Sequence, residues 1–235
     1  MEGNQCPEWD KTYLVKERLR QKHQFDEPSR ESKYGEFGGR PIIGRDSKIN
    51  GGVYVGGGER EAVVVDDTKQ PELQDVYREL LKRRKNQALH GIDFKDGILE
   101  EVFDLTREIL PFDENKVDNI THNLSHDEKI ALSVFINEKG GVCRHQALLA
   151  GYLLEKLKND GLIRGTASID RNFVPGEGGH AWVRYVNSAS QIFIIDPAQD
   201  YIGSIEDAGI DRWQYERPRN SLSVLRDKVK KILDI

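Results

Sequence analysis

Cysteine is scarce in this chain, which has only two among its 235 residues, Cys6 and Cys143. Two cysteines cannot build the disulfide network on which small secreted proteins depend. The chain also lacks an apolar run approaching the roughly 20 residues that span a bilayer, and residues 1–10 contain no apolar signal core. These absences favour a soluble protein of the reducing cytoplasm and leave only a signal-less route to secretion open.

An excess of charge of one sign is also missing. The chain carries 35 basic and 40 acidic side chains, and the formal net charge is -5. Proteins that bind nucleic acids or anionic membranes usually present a basic stripe or a polybasic segment, and this sequence has neither. We therefore predict no nucleic-acid partner and no membrane partner.

The strongest apolar pattern lies at residues 140–157, GGVCRHQALLAGYLLEKL. Residues 147–154 carry no charge, which predicts a central helix that is apolar almost all round. Residues 159–161, NDG, supply its end. Cys143 falls at the first turn, where unpaired backbone N–H groups and the positive end of the helix dipole favour the thiolate. This position indicates a nucleophile.

The two residue types that a thiol nucleophile needs follow downstream. His180 opens a predicted strand 37 residues after Cys143, and Asp196 ends another strand 16 residues later. Because side chains alternate along a strand, the connection between the strands decides whether the two residues share a face. A three- or five-residue loop would place them on one face and a two-residue loop on opposite faces. The sequence leaves both arrangements open.

This order of residues resembles the transglutaminase-like superfamily, with its glycine-valine-cysteine helix start, a histidine opening one strand and an aspartate ending the next. The resemblance covers about residues 125–200. It implies an α+β, papain-like core in which a central helix packs on an antiparallel sheet, with extra helices N-terminal to the core. It also implies a catalytic triad in which Cys143 attacks, His180 transfers the proton and Asp196 orients the imidazole.

The activity that the resemblance implies is thiol-dependent acyl transfer at an amide carbonyl of a protein or peptide substrate. Water as the acceptor would give a protease or a glutamine deamidase, and an amine would give a crosslinking transglutaminase. We favour hydrolysis, because water needs no second binding site. A catalytically idle, transglutaminase-like module that binds a protein partner is the alternative from another functional class.

Three further residues are candidates for the substrate cleft. The Cys143 N–H would supply one oxyanion donor, and the superfamily commonly takes a second from an upstream tryptophan or glutamine. Trp9 is the only tryptophan upstream, so Gln87 is a candidate substitute. Trp182 and Gln199 flank the predicted triad in sequence, Trp182 as a packing residue or cleft wall and Gln199 as a turn cap or substrate contact.

Other polar patterns do not point to cofactors. The glycine cluster at residues 51–58 lacks the Gly-Lys-Ser/Thr of a phosphate loop. His122 and His126 are four residues apart but fall across a predicted helix boundary, so we predict no metal site there. No calcium loop is present. Next to the nucleophile, Arg144 is expected to face solvent or an acidic partner, and His145 to point away from Cys143.

The remaining periodicities predict the other elements and a division of the chain. We predict an N-terminal arm and β-hairpin segment at residues 1–67 and a catalytic domain at residues 68–235, with one continuous domain as the alternative. Predicted helices cover residues 8–22, about 71–85, 95–110, 125–136 and 222–233. Predicted strands cover residues 41–43, 53–55, 62–65, 162–170, 180–186 and 191–195, and a loop covers residues 171–179.

Overall fold

The computed structural model describes residues 12–22, 24–27, 32–56, 60–89, 97–174, 178–209 and 212–217. These residues form a mixed α+β fold, as the sequence predicts. The helices are α1 (Thr12–Gln21), α2 (Pro71–Leu89), α3 (Ile98–Ile109), α4 (Glu114–Thr121), α5 (Leu132–Glu138), α6 (Cys143–Asn159) and α7 (Arg212–Tyr215). The strands are β1 (Phe25–Asp26), β2 (Glu36–Phe37), β3 (Val53–Val55), β4 (Ala62–Val64), β5 (Lys129–Ala131), β6 (Gly165–Val174), β7 (Gly178–Asn187), β8 (Ile192–Asp196) and β9 (Tyr201–Ser204).

Helix α6 lies at the centre and packs on an antiparallel sheet of strand order β6-β7-β8-β9. Its side chains Leu149 and Leu153 are fully buried, and each such leucine contributes about 1.5–3 kcal/mol through burial. Gly151 permits the close approach of the helix to the sheet, because a Cβ there would lie 2.6 Å from Ile169 Cδ1 on β6. The apolar pattern of the sequence therefore predicts the central helix correctly.

A second sheet joins the N-terminal part of the chain to the rest. The predicted hairpin is confirmed, since β3 and β4 pair antiparallel, and β5 adds to β4 in parallel. One buried cluster contains Ile43 and Val63 together with Leu73 and Leu149. Among the described residues, side chains from both sides of residue 67 therefore pack in one core.

The helix predicted from Ser125 onward is wrong in its first half. The Ser125 N–H donates to Glu128 Oε2 at 2.9 Å, as a capping box requires, but this bond closes a turn. Residues Lys129–Ala131 form β5, and the helix begins only at Leu132. The reason is non-local, because β5 pairs with β4 and the Ala62 N–H donates to Glu128 O at 2.8 Å. Tertiary pairing here overrides a local helix signal.

Other boundaries also differ from the prediction. The predicted loop at residues 171–179 is largely strand, because β6 extends to Val174 and β7 begins at Gly178. Helix α4 and strand β9 have no predicted counterpart; α4 buries a single residue, Val117, so its apolar periodicity is weak. Residues 222–233, predicted as a helix, lie outside the described residues.

The face of the main sheet opposite α6 is covered by the chain that follows β9. Trp182 and Ile194 form a buried cluster there with Ile205 and Tyr215. In the part of the chain that the structure describes, no helix is long and apolar enough to cross a membrane.

An ion cluster fixes the segment at residues 212–217 to this face. The Arg217 Nε donates to Asp170 Oδ2 at 2.6 Å, and its Nη1 lies 3.0 Å from both Asp46 oxygens. Its Nη2 donates to Ser168 Oγ at 2.8 Å. Asp170 is fully buried, so its charge depends on this guanidinium for compensation.

We expect Arg217→Ala to lower the free energy of unfolding by about 3 kcal/mol, because it removes the guanidinium that bonds both oxygens of the buried Asp170 carboxylate. Urea unfolding of both proteins measures the difference. Arg20→Ala is the control, since Arg20 pairs with Glu27 at 2.8 Å while both side chains are more than half exposed, and such pairs contribute about 1 kcal/mol or less. Equal losses in the two variants would contradict the buried-pair argument.

Candidate active site

Cys143 is the first residue of α6, and the chain leading to it is held in extended form. Gly141 pairs with the segment before α4, accepting from the Asp113 N–H at 2.9 Å and donating to Pro111 O at 3.0 Å. The Val142 N–H, at the N-cap, donates to His145 Nδ1 at 3.1 Å. The histidine thus caps its own helix from the third position, and this fixes the start of the helix at Cys143.

A three-residue loop decides the relation of His180 to Asp196. The Asn187 N–H donates to Gln191 O at 3.0 Å, which leaves residues 188–190 as the loop between β7 and β8. Val183 pairs with Ile195, and continuing that register sets Asp196 opposite Trp182. His180 is two residues from Trp182, so it shares that face with Asp196. This is one of the two arrangements that the sequence left open.

The three predicted triad residues lie together. His180 Nε2 is 2.5 Å from Asp196 Oδ2, and His180 is near enough to the Cys143 thiol for each group to shift the pKa of the other. Because Nε2 faces the carboxylate, Nδ1 is the ring nitrogen left for Sγ. Asp196 is fully buried, the His180 side chain is 17% exposed, and Cys143 is half-buried.

The surroundings of the thiol favour its ionised form. Burial raises the pKa of Cys143, but the interaction with His180 outweighs burial and holds that pKa below its ordinary value. The Ala181 N–H and the charge of Arg144 act in the same direction. Burial lowers the pKa of His180, whereas Asp196 and Cys143 raise it to about 10. Both shifts favour a thiolate beside an imidazolium over the neutral pair.

Asp196 accepts two hydrogen bonds besides that of His180. The Tyr215 hydroxyl donates to Oδ2 at 3.0 Å, and the Gln199 N–H donates to Oδ1 at 3.3 Å. Tyr215 was not among the residues that the sequence singled out. The only signal for it is an aromatic pair, Trp213 and Tyr215, in an otherwise polar stretch.

Behind the thiol lies a buried cluster of Glu61, Arg144 and His145. The expectation that Arg144 faces solvent is wrong: it is 8% exposed, and its Nε donates to Glu61 Oε1 at 2.7 Å. His145 points away from Cys143, as predicted, and stacks on Phe135 with ring centroids 3.9 Å apart. Burial, the largest effect, lowers the pKa of His145 to about 4. The ring is therefore neutral, with Nε2 protonated because Nδ1 accepts from Val142.

Cys143 and His180 line an open cleft of about 820 Å³. One wall carries Phe112, which is 50% exposed, and the exposed carboxylates Glu114 and Asp118. Cys143 is half-buried and borders this cleft.

The three weaker cleft candidates lie in different places. Gln199 lines the cleft. Trp182 does not, because it is fully buried and packs beside His180 with ring centroids 5.7 Å apart. Gln87 lies on α2, where its amide donates to Glu101 Oε2 at 2.7 Å, and it is not part of the cleft wall. These contacts give the oxyanion role of Gln87 no support, and the burial of Trp182 favours its packing role over the cleft wall.

No group of three or more His, Cys, Asp or Glu side chains that could hold a metal ion occurs among the described residues. His122 Nδ1 instead lies 2.7 Å from Asn119 O at the end of α4.

The order of Cys143, His180 and Asp196 carries the resemblance to the transglutaminase-like superfamily, and their contacts describe the site. Comparisons of the chain with protein-family models, with curated proteins and with solved structures returned no match.

Proposed function

We propose that the chain is a transglutaminase-like cysteine hydrolase that acts on an amide carbonyl of a protein or peptide. The observation that carries the proposal is the position of Cys143 at a helix start in an open cleft, beside a histidine that a buried aspartate holds. A structural cysteine has no need of these partners, since it behaves as a small apolar residue. A thiolate with an adjacent proton carrier is the arrangement that covalent acyl transfer requires.

In the proposed reaction, the Cys143 thiolate attacks the carbonyl carbon and forms a tetrahedral adduct. The Cys143 N–H at the helix start stabilises the oxyanion. The imidazolium of His180 gives its proton to the departing amine, the C–N bond breaks and a thioester remains. His180, now neutral, removes a proton from water, which attacks the thioester; the acid product leaves and the thiolate–imidazolium pair is restored.

An amine could replace water in the second half of the reaction, which would make the protein a transglutaminase. Hydrolysis is the simpler proposal, because water needs no second binding site. The binding-module alternative gains no support from the site, since a protein that only binds would not need an ionised thiol. A reducing compartment such as the cytoplasm suits the proposal, because it keeps Cys143 reduced.

The test offers wild-type protein a mixture of glutamine-containing proteins, with and without a tagged primary amine. Ammonia release, peptide cleavage and tag incorporation are recorded together. Ammonia without tag identifies a deamidase, cleavage a protease and tag incorporation a transglutaminase. Failure of all three, together with a Cys143→Ala variant that binds the same partners as wild type, would replace the enzyme proposal with the binding module.

The ionised thiol predicts a specific pH dependence of alkylation. Iodoacetamide should label Cys143 rapidly at pH 6, where an ordinary thiol of pKa about 8.5 is less than about 1% ionised. Peptide mass spectrometry of the Cys6→Ala variant measures the rate at Cys143 alone. Because the imidazolium stabilises the thiolate, His180→Ala should move the rate profile to higher pH. A wild-type profile that rises only near pH 8.5 would contradict the activated thiol.

A further inference from the structure

Tyr215 contacts the buried side of the proposed triad although it lies outside the cleft. Its hydroxyl donates to Asp196 Oδ2 at 3.0 Å and lies 3.4 Å from Gln199 Oε1. Tyr215 is only 2% exposed and Asp196 is fully buried. The shorter of the two contacts is therefore a bond from a neutral donor to a buried carboxylate, which is among the stronger types of hydrogen bond in proteins.

The ring of Tyr215 is held on two sides. It meets Trp182 edge-on with centroids 5.2 Å apart and stacks on Tyr201 with centroids 5.6 Å apart. Trp182 in turn stacks beside His180. His180 and Tyr215 are thus connected twice, by ring packing through Trp182 and by hydrogen bonds through Asp196, so the hydroxyl has little freedom to leave the carboxylate.

The segment at residues 212–217, which carries Tyr215, is anchored to β6 on both sides of that residue. Asn172 Nδ2 donates to Gln214 O at 2.9 Å, and Arg217 is bound to the buried Asp170. Strand β6 pairs along its full length with β7, the strand of His180. The position of the tyrosine hydroxyl is therefore set by the same sheet that positions the histidine.

We infer that Tyr215 is a positioning residue of the triad, which fixes the rotation of the Asp196 carboxylate so that Oδ2 faces His180 Nε2. This inference rests on the proposed function. Asp196 turns about a terminal bond whose rotational preference is broad, so its orientation depends on its hydrogen-bond partners. The Gln199 N–H holds Oδ1, and the hydroxyl of the buried Tyr215 holds Oδ2. Without the hydroxyl, Oδ2 keeps His180 as its only donor among the described residues.

Tyr215→Phe tests the inference, because it removes the hydroxyl and keeps the ring contacts. The readout is the pH profile of Cys143 alkylation in a Cys6→Ala background, which reports the thiolate–imidazolium pair. The charged groups that act on this pair are Asp196 and Arg144. A less well oriented Asp196 supports the imidazolium less, so the profile should move to higher pH by about one unit, which is a tenfold lower rate at pH values well below the midpoint of the profile.

Tyr201→Phe is the matched control. It removes the Tyr201 hydroxyl, which donates to Ser204 O at 2.6 Å and not to the Asp196 carboxylate. The Tyr201 ring stacks against the ring of Tyr215. Its alkylation profile should equal that of wild type. Incorporation of 4-aminophenylalanine at position 215, which still donates, should restore most of the wild-type rate.

Near-UV circular dichroism confirms that each variant is folded. If the Tyr215→Phe variant unfolds, a variant with 4-fluorophenylalanine at position 215 replaces it in the test. The fluorine fills more of the space of the hydroxyl but cannot donate a hydrogen bond. A position-215 variant without a donor that keeps the wild-type profile, or a Tyr201→Phe variant that shifts equally, overturns the positioning role while the proposed function stands. An ordinary thiol profile in wild type itself overturns both.

Discussion

Replacement of Cys143 by alanine should remove acyl transfer, with a loss of at least about 10³-fold in kcat. Every step of the proposed reaction passes through a bond to Sγ, and no other thiol lies in the described part of the site. Because the change deletes one sulfur atom, the fold should remain. Activity is measured as ammonia release or peptide cleavage, and folding as the thermal unfolding midpoint.

The Cys6→Ala variant is the control, since it removes the other cysteine of the chain and should keep full activity. Cys143→Ser is a second comparison, because it keeps a hydroxyl of similar size but a far weaker nucleophile. A Cys143→Ala variant that retains more than about a tenth of wild-type activity would contradict covalent catalysis by this residue.

Asp196→Asn should lower kcat by about 10³- to 10⁴-fold, a larger effect than the sequence alone suggests. If the aspartate only oriented the imidazole, an amide could still do so. In the structure, however, both carboxylate oxygens accept hydrogen bonds, from His180 and Tyr215 at Oδ2 and from the Gln199 N–H at Oδ1. Either orientation of an asparagine amide would set its NH₂ group against a donor. The variant also loses the charge that raises the pKa of His180.

Asp200→Asn provides the matched control for this substitution. Asp200 lies four residues later, its side chain is 72% exposed, and its partner is the surface residue Arg107. Its loss of charge should leave kcat within about twofold of wild type, since exposed ion pairs contribute little. The alkylation profile of Asp196→Asn should also move to higher pH, because the imidazolium loses support. An unchanged profile would show that Asp196 does not support the charge on His180.

The sequence by itself determined the centre of the fold and the residue types of the candidate site. The uncharged run at residues 147–154 predicts α6, and the glycines before Cys143 predict where it starts. Both signals are local, because a helix start and an apolar surface are properties of consecutive residues. The strand character around His180 and Asp196 is local in the same sense, and those strands are present as β7 and β8.

Local patterns failed where the partner lay far away in the chain. The start predicted at Ser125 gave way to β5, because pairing with β4 offered that backbone better partners than a helix could. Arg144 is drawn inward by Glu61, which is 83 residues earlier in the sequence. Neither outcome follows from neighbouring residues.

Only the tertiary structure decided how the candidate site is assembled. The loop between β7 and β8 has three residues, which places Asp196 on the same face of the sheet as His180. A two-residue loop would place them on opposite faces, because a one-residue change in register moves every side chain of a strand to the other face. Tyr215 reaches Asp196 because the chain after β9 returns across the sheet and Arg217 is held there by Asp170. The sequence thus supplies the reactive groups, whereas non-local pairing and buried charge bring them within hydrogen-bonding distance.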